Sequence, residues 1–304
     1  MAVTDVVERL TATDDETLTR LGFRADDRHD VLLTIRRVQA EPAVLARVQR
    51  MADQLIARIG QFGEYQNPFA VPADFDDLDP DLLDKEWGVG VLPLLALLAT
   101  ADDVAAFHAG RGIDPATSYG SLADLGQQAW VHRRTFGNFG LHTYGWMQIC
   151  WSGALYWLGR LQFNLTRYEG DWVVSTHIPE SGPLTPEAVA DSFRRARTFF
   201  AEHFADYPTS LFHCDSWLLD PQLTEVLAPG SNMVAFQQLW KLDGESRDSD
   251  GDALFFTFRR RGDIDLDTLP QDTSLQRAIV AKLRAGGHWQ VRSGTIEQSR
   301  FASR

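Results

Sequence analysis

The chain has 304 residues, of which 44% are hydrophobic and 23% charged, so it is long enough for two globular domains with a large core. Its formal net charge of −13 would repel a phosphate backbone, which argues against nucleic acid as a partner. We expect neither a signal peptide nor a membrane partner, because the N-terminus lacks a basic head and the longest uncharged stretch, Gly88 to Ala101, is too short to span a bilayer. Two cysteines, Cys150 and Cys214, provide no disulfide framework and indicate a reducing, cytoplasmic location.

The first half of the chain predicts helices. Thr13 and Glu16 have the spacing of a capping box. The apolar residues between Glu41 and Ile59 recur with the 3.6-residue period of a helix. A further helix, rich in aromatic residues, is predicted from Tyr144 to Leu161.

Near residues 160–169 the hydrophobic period changes from about 3.6 to 2. This change predicts a helical N-terminal domain over residues 1–164 and a second domain over residues 165–304. The second domain is predicted to have these strands and helices: strands Trp172 to Ile178, Ser210 to Asp215 and His288 to Ser293, a hairpin of Val234 to Leu242 with Ala253 to Arg260, a helix from Thr185 to His203, and a helix that Thr273 opens. The fold class is therefore α+β, with an all-helical domain followed by a mixed sheet flanked by helices.

Residues 211–221 concentrate reactive side chains at the point where a strand gives way to a helix. His213, Cys214, Asp215, Ser216 and Trp217 are consecutive. Because side chains alternate along a strand, His213 and Asp215 should share one face and Cys214 should point to the other. A structural interpretation stays open, in which Cys214 and Trp217 belong to the core, His213 is hydrogen-bonded and Asp215 caps a turn.

Several longer motifs resemble the C-terminal domain of bacterial two-domain GNAT-like acyltransferases. They are Cys214-Asp215-Ser216-Trp217-Leu-Leu-Asp220-Pro221, Ser231-Asn232, Phe236-Gln237, Asp272-Thr273-Ser274-Leu275-Gln276 and Gly286-Gly287-His288-Trp289. The segment from Leu158 to Phe163 and the glycines Gly137 and Gly140 are similar to the end of that family's helical N-terminal domain. The resemblance implies a GNAT-like sheet domain, acyl-CoA as co-substrate, and transfer of an acyl group to an amine or hydroxyl of a small-molecule acceptor.

The resemblance also implies a loop that binds the phosphates of CoA. The matching segment, Arg259-Arg260-Arg261-Gly262, follows a predicted strand, but Ile264 stands where the family has a second small residue. Together with Thr273 and Ser274 at a helix N-terminus, these four residues are the predicted cofactor-binding set. The alternative is a solvated basic turn.

Acyl transfer from a thioester needs a base, hydrogen-bond donors for the oxyanion and an acid for the leaving thiolate. We predict His213 or Asp215 as the base and Ser216 as a donor, in a direct transfer that does not pass through a thiol intermediate. The predicted substrate-binding residues are Trp217, His177, Glu180 and Asn232. No metal is expected, because the chain has no His-x-x-x-His or Cys-x-x-Cys pair.

Two other functions remain open at this stage. One is a non-catalytic protein that binds a small ligand on the same fold, and the other is a hydrolase that uses Cys214 and His213. The acceptor, the acyl chain and the oligomeric state cannot be deduced from these residues.

Overall fold

The computed structural model describes residues 5–63 and 86–302. Within these ranges the first half of the chain is helical. Its helices are Val6–Ala12 (α1), Asp15–Arg20 (α2), Ala25–Val38 (α3), Pro42–Arg58 (α4), Val91–Gly110 (α5), Pro115–Leu122 (α6), Asp124–Phe136 (α7) and Tyr144–Trp151 (α8). Carboxylates begin several of them: Asp14 accepts the Thr17 N–H at the start of α2, so the predicted cap at Thr13 was wrong by one residue.

Helix α5 is the core helix of this half. It is 20 residues long and apolar enough in composition to cross a membrane, but 72% of its most apolar window is buried inside the fold. The Trp151 indole donates to the Leu97 carbonyl at 2.9 Å and lies 3.1 Å from Thr100 Oγ1, which ties α8 to α5. Most of the uncharged stretch from Gly88 to Ala101 lies in α5, which continues through Asp102 and Asp103 to Gly110.

The predicted aromatic helix from Tyr144 to Leu161 was too long. Helix α8 ends at Trp151, and strand β1, Leu155–Leu158, follows it. Gly153 turns the chain with a φ of +80°, in the left-handed region that favours glycine. A Cβ there would lie 2.4 Å from the Phe107 ring, so the turn also needs the missing side chain.

The second half is a six-stranded sheet with helices. Its elements are strands Leu161–Tyr168 (β2), Asp171–His177 (β3), Leu211–Ser216 (β4), Lys241–Asp248 (β5) and Gln290–Glu297 (β6), and helices Pro186–His203 (α9), Leu223–Val226 (α10), Asn232–Gln237 (α11), Asp250–Phe258 (α12) and Ser274–Arg284 (α13). The strand order is β1-β2-β3-β4-β6-β5, with β3 and β4 parallel and β4, β6 and β5 antiparallel. The predicted α+β class is confirmed.

The predicted hairpin of Val234 to Leu242 with Ala253 to Arg260 was wrong. Residues 232–237 form helix α11 and residues 250–258 form helix α12. Residues 241–248 between them form strand β5, which pairs with β6. The run Ala-Leu-Phe-Phe-Thr-Phe has strand-forming residues, but Asp250 and Asp252 lie in the first turn of α12, where carboxylates stabilise a helix. Ala253 then packs with Ile279 and Trp289 in a core cluster, and this packing outweighs the strand propensity.

By contacts the chain divides into two compact units. The first comprises the chain up to Trp157 together with Asn164–Thr166, and the second comprises Leu158–Phe163 and the chain from Arg167 onward. Every residue of the candidate site described below belongs to the second unit.

Candidate active site

Strand β4 alternates between a buried and an accessible face. Phe212 and Cys214 are fully buried, and the Phe212 ring lies 4.7 Å from that of Phe193 on α9. His213 is half-buried and Asp215 exposed, as alternation along a strand requires. The reactive pair therefore lies on the sheet face opposite Phe212 and Cys214.

His213 is held by side chains from two other strands. Its Nε2 lies 2.8 Å from Ser293 Oγ on β6, and its ring stacks on Tyr168 of β2 with centroids 4.3 Å apart. The Tyr168 hydroxyl donates to Asp243 Oδ2 at 2.8 Å, and Ser293 lies near the same carboxylate and helps to lower its pKa. Asp243 lies in an irregularity of β5, between Leu242 and Ser246, where the register against β6 shifts.

The carboxylate of Asp243 is an acceptor beside Tyr168 and Ser293. Burial would raise its pKa, but hydrogen bonds from Tyr168, Ser293 and the Glu245 N–H outweigh burial and lower it, so the group is ionised and can only accept. A Ser293 hydroxyl that donates to Asp243 can accept the Nε2 proton of His213. In that tautomer the lone pair of the neutral imidazole lies on Nδ1, which is the arrangement a general base requires.

Asp215 has a different environment from His213. Arg247 Nη1 and Nη2 donate to its two carboxylate oxygens at 3.2 and 2.6 Å, a bidentate ion pair at the surface of the sheet. With both oxygens engaged, Asp215 is better placed to influence His213 by its charge than to take a proton itself. Burial is the largest effect on His213 and lowers the pKa of its imidazole. The negative charges of Asp215 and Asp243 oppose this lowering.

Ser216 and Trp217 make contacts that stabilise the fold. Ser216 Oγ accepts the Leu218 N–H at 3.1 Å and so caps the short turn Trp217–Leu219. Trp217 is buried in the core cluster, with its ring edge-to-face against Trp289 at 6.5 Å. Their predicted roles in catalysis and substrate binding stay predictions.

His177 ends β3 on the same sheet face as His213. Ser175 is in register with His213 across the parallel strands, and His177 lies two residues further along β3. Burial, with a smaller contribution from His213, lowers the pKa of His177 to about 3. The two imidazoles are therefore neighbours and both stay neutral at neutral pH.

The segment from Arg259 to Gly262 lies at the C-terminal end of a helix, so its predicted place after a strand was wrong. Arg259 ends α12 with a φ of +55°, and Gly262 follows with a φ of +84°. Arg259 Nη2 donates to Glu180 Oε2 at 2.5 Å, which brings the arginine segment against the loop after β3. The Arg261 guanidinium lies 3.9 Å from the centroid of the Phe255 ring, and burial lowers its pKa.

Thr273, Ser274 and Asn232 all lie at helix starts. Thr273 Oγ1 accepts the Gln276 N–H and Gln276 Oε1 accepts the Thr273 N–H, so the predicted capping box is present. Asn232 is the first residue of α11, which Ser231 caps. Since α13 is capped by its own side chains, the predicted contact of Thr273 and Ser274 with a phosphate stays a prediction.

The loop of residues 178–185 is a candidate phosphate-binding loop that was not predicted from the sequence. It leaves the C-terminal end of β3 and enters α9, which Thr185 caps, and the chain then returns through the parallel strand β4. Ligands bind at this position in open α/β sheets, outside the carboxyl ends of parallel strands. Gly182 and the neighbouring prolines between a strand and a capped helix were the available sequence signal.

Among the described residues, no group of three or more His, Cys, Asp or Glu side chains is arranged to hold a metal ion.

Comparisons with known proteins define the class. Residues 12–153 match the family described as N-acyltransferase N-terminal domain, and residues 155–296 match the GNAT-like C-terminal domain. A mutant acyltransferase solved with octanoyl-CoA is 31% identical, with a TM-score of 0.81 over 93% of this chain and 86% of that one. An acyltransferase solved with decanoyl-CoA and teicoplanin has 31% identity and a TM-score of 0.80, covering 93% of this chain and 87% of that one. A further structure with decanoyl-CoA, 31% identical, has a TM-score of 0.79 over 98% and 99% of the two chains.

No curated relative matched the chain. The fold and the solved structures define an acyl-CoA-dependent acyltransferase. The chain belongs to the family of two-domain acyltransferases that join an N-acyltransferase N-terminal domain to a GNAT-like C-terminal domain. The predicted family, enzymatic activity and co-substrate are confirmed.

Proposed function

We propose that the protein transfers a medium-length acyl group from acyl-CoA directly to an amine or hydroxyl of a small-molecule acceptor, with His213 as the general base. The contact of His213 Nε2 with Ser293, beside the ionised Asp243, supports this assignment most directly, because it orients the ring and favours the tautomer with the lone pair on Nδ1. Nδ1 takes the acceptor's proton as the nucleophile attacks the thioester carbonyl. The tetrahedral intermediate then collapses and releases CoA as its thiolate.

A thiol intermediate at Cys214 is disfavoured. The side chain is fully buried on the face away from His213, and burial, aided by the charge of Asp215, raises the pKa of its thiol. A thiolate is the reactive form of cysteine, so a buried thiol with a raised pKa is a poor nucleophile. The same geometry argues against the hydrolase alternative.

The bound molecules of the similar structures support a choice of substrates. Those acyltransferases hold octanoyl-CoA, decanoyl-CoA and teicoplanin. We therefore propose an acyl chain of octanoyl to decanoyl length and a complex natural product as the acceptor. The phosphates of CoA are proposed to lie along residues 178–185, with Arg260 and Arg261 as nearby cations.

A bacterial cytoplasm is the proposed location. Cys150 and Cys214 are both free thiols and both buried, which fits a reducing compartment. Cell fractionation followed by immunodetection tests this proposal, and recovery in a secreted fraction would contradict it.

The two histidines give the sharpest test of the proposed base. His213→Gln should lower kcat by about 10²- to 10⁴-fold, the usual contribution of a general base, with little change in the affinity for decanoyl-CoA. His177→Gln is the matched control, because it alters the neighbouring imidazole on the same sheet face. Calorimetry with decanoyl-CoA and a thiol-release assay with an amine acceptor provide both quantities. A larger kcat loss in His177→Gln than in His213→Gln would transfer the role of base to His177.

A further inference from the structure

The side chain of Arg160 binds the loop between β3 and α9 at four points. Its Nη1 donates to the Pro179 carbonyl at 2.8 Å and to Ser181 Oγ at 3.1 Å. Its Nε donates to the carbonyls of Gly182 and Pro183 at 2.9 and 3.3 Å. One half-buried guanidinium therefore binds three carbonyls of a five-residue stretch.

The backbone at Arg160 is itself fixed against α9. The Arg160 N–H donates to Ser192 Oγ at 2.7 Å, and Ser192 in turn donates to the Ala188 carbonyl. Gly159 has a φ of +81°, and a Cβ there would lie 2.7 Å from Ser192 Oγ. The turn between β1 and β2 is thus hydrogen-bonded both to the loop and to the first turns of α9.

The bonds to Arg160 determine which way the loop's amides point. Peptide bonds are trans in the described residues, so a carbonyl and the N–H of the same peptide point in opposite directions. With the Pro179 and Pro183 carbonyls directed at the guanidinium, the N–H groups of Glu180 and Leu184 are directed away from it. Backbone N–H groups that point out of a loop before a helix are suited to bind phosphate oxygens.

We propose that Arg160 is a positioning residue for phosphate recognition, which orients the 178–185 loop so that its N–H groups bind the phosphates of the CoA thioester. This inference rests on the proposed function, in which those phosphates lie along this loop. Arg160 then acts without touching the ligand. Removing it should weaken the recognition of phosphates while sparing the rest of the thioester.

Two thioesters separate this role from a general effect on folding. Decanoyl-CoA carries the phosphates and decanoyl-pantetheine lacks them. In Arg160→Ala, kcat/KM for decanoyl-CoA should fall about ten- to hundredfold, and kcat/KM for decanoyl-pantetheine should change less than about threefold. Arg160→Lys keeps a positive charge but lacks the planar fork of donors. Its ratio of kcat/KM for decanoyl-CoA to kcat/KM for decanoyl-pantetheine should therefore lie between the ratios of the wild type and of Arg160→Ala.

Arg167→Ala is the matched control. Arg167 also donates to a loop carbonyl, that of Gly170 at 2.7 Å, and stacks on an aromatic ring, that of Trp172. The ratio of the two kcat/KM values should stay at the wild-type level in this variant. If Arg160→Ala does not fold, Arg160→Lys provides the test alone.

Equal losses for both thioesters, or an unchanged ratio in a folded Arg160 variant, would overturn the proposed role. Wild-type protein that used both thioesters equally well would also overturn it, since the phosphates would then contribute nothing. Failure of the wild type to use either thioester would instead contradict the proposed function, and this inference with it.

Discussion

Asp243 lies beside Tyr168 and Ser293, the two side chains that hold His213, and its charge opposes the lowering of the His213 pKa. Its ionised carboxylate can only accept, and an asparagine amide can also donate, so Asp243→Asn would remove the constraint on Ser293 and on the imidazole tautomer. We expect kcat to fall by about 10²-fold with little change in acyl-CoA affinity. Asp243 opposes the lowering of the His213 pKa, so its loss should move the acid limb of the pH–rate profile to lower pH.

Steady-state kinetics across pH and nitrogen chemical shifts of the labelled imidazole measure these effects. Asp248→Asn, an exposed carboxylate on the same strand, is the control. Unchanged kcat and an unchanged tautomer in Asp243→Asn would show that the hydrogen-bond chain does not act on His213.

Cys214 provides a second test at the residue scale. Cys214→Ala should destabilise the protein by roughly 1–2 kcal/mol, the cost of a small cavity in a packed core, and leave turnover almost unchanged. Urea denaturation and the thiol-release assay measure the two effects. A folded Cys214→Ala protein without activity would restore the thiol to the mechanism.

The candidate site was predicted in part. Alternation along one strand was enough to place His213 and Asp215 together and Cys214 behind them. Tyr168, Asp243 and Ser293 were not predicted, because they lie on three other strands and reach His213 only through strand order and a register shift. Asp243 in particular lies in the connection between the two strands of the predicted hairpin, and nothing local marks it as a neighbour of β6.

At the scale of single elements, a substitution at the N-terminus of α13 tests whether Thr273 caps the helix or binds the ligand. Thr273→Ala removes the acceptor for the Gln276 N–H and should destabilise the protein by about 1 kcal/mol. The affinity for decanoyl-CoA should stay at the wild-type value, because the capping box already satisfies the end of this helix. Thermal denaturation and calorimetry measure both quantities. A clear loss of affinity without a loss of stability would instead assign Thr273 to the phosphate site.

Short apolar runs limited the prediction of elements. Residues 253–258 and 234–237 are compatible with either a strand or a helix by composition, and the choice was made by packing against Trp289 and neighbouring helices. Longer signals were reliable: the period of α4, the helix from Thr185 to His203 (α9) and the Thr273 capping box all appeared as predicted.

At the scale of the whole molecule, buried histidines should make stability depend on pH. His108 is fully buried, with Nδ1 2.8 Å from Ser118 Oγ, and burial lowers its pKa from 6.5 to about 4. Below pH 6.5 the unfolded chain binds a proton that the folded protein does not. The stability present above pH 6.5 is therefore lost as the pH falls towards 4.

We expect the free energy of unfolding to fall by roughly 2–3 kcal/mol on this account between pH 7.5 and pH 4. His108→Gln should reduce this dependence, and His29→Gln, at an exposed position, should not. Urea denaturation at a series of pH values measures the slopes. Identical slopes in the wild type and His108→Gln would exclude His108 as the cause.

The change of hydrophobic period predicted the overall plan, a helical half followed by a sheet. It could not predict that the chain changes unit more than once near the boundary, where the Leu165 N–H donates to the Ala154 carbonyl at 3.1 Å and residues 164–166 belong to the first unit. Strand order had the same limit, since it depends on which strands can share a core.

The irregularity in β5 also has a consequence for solubility. Among the residues that the structure describes, β5 is the last strand of the sheet and nearly all of its side chains are exposed, so it offers an edge on which a second copy could polymerise. The strand carries charges of both signs, and the shift between Leu242 and Ser246 interrupts its regular hydrogen-bonding edge. The same distortion that places Asp243 near Tyr168 and Ser293 thus discourages aggregation through the sheet. Straightening this strand to gain stability would remove both properties together.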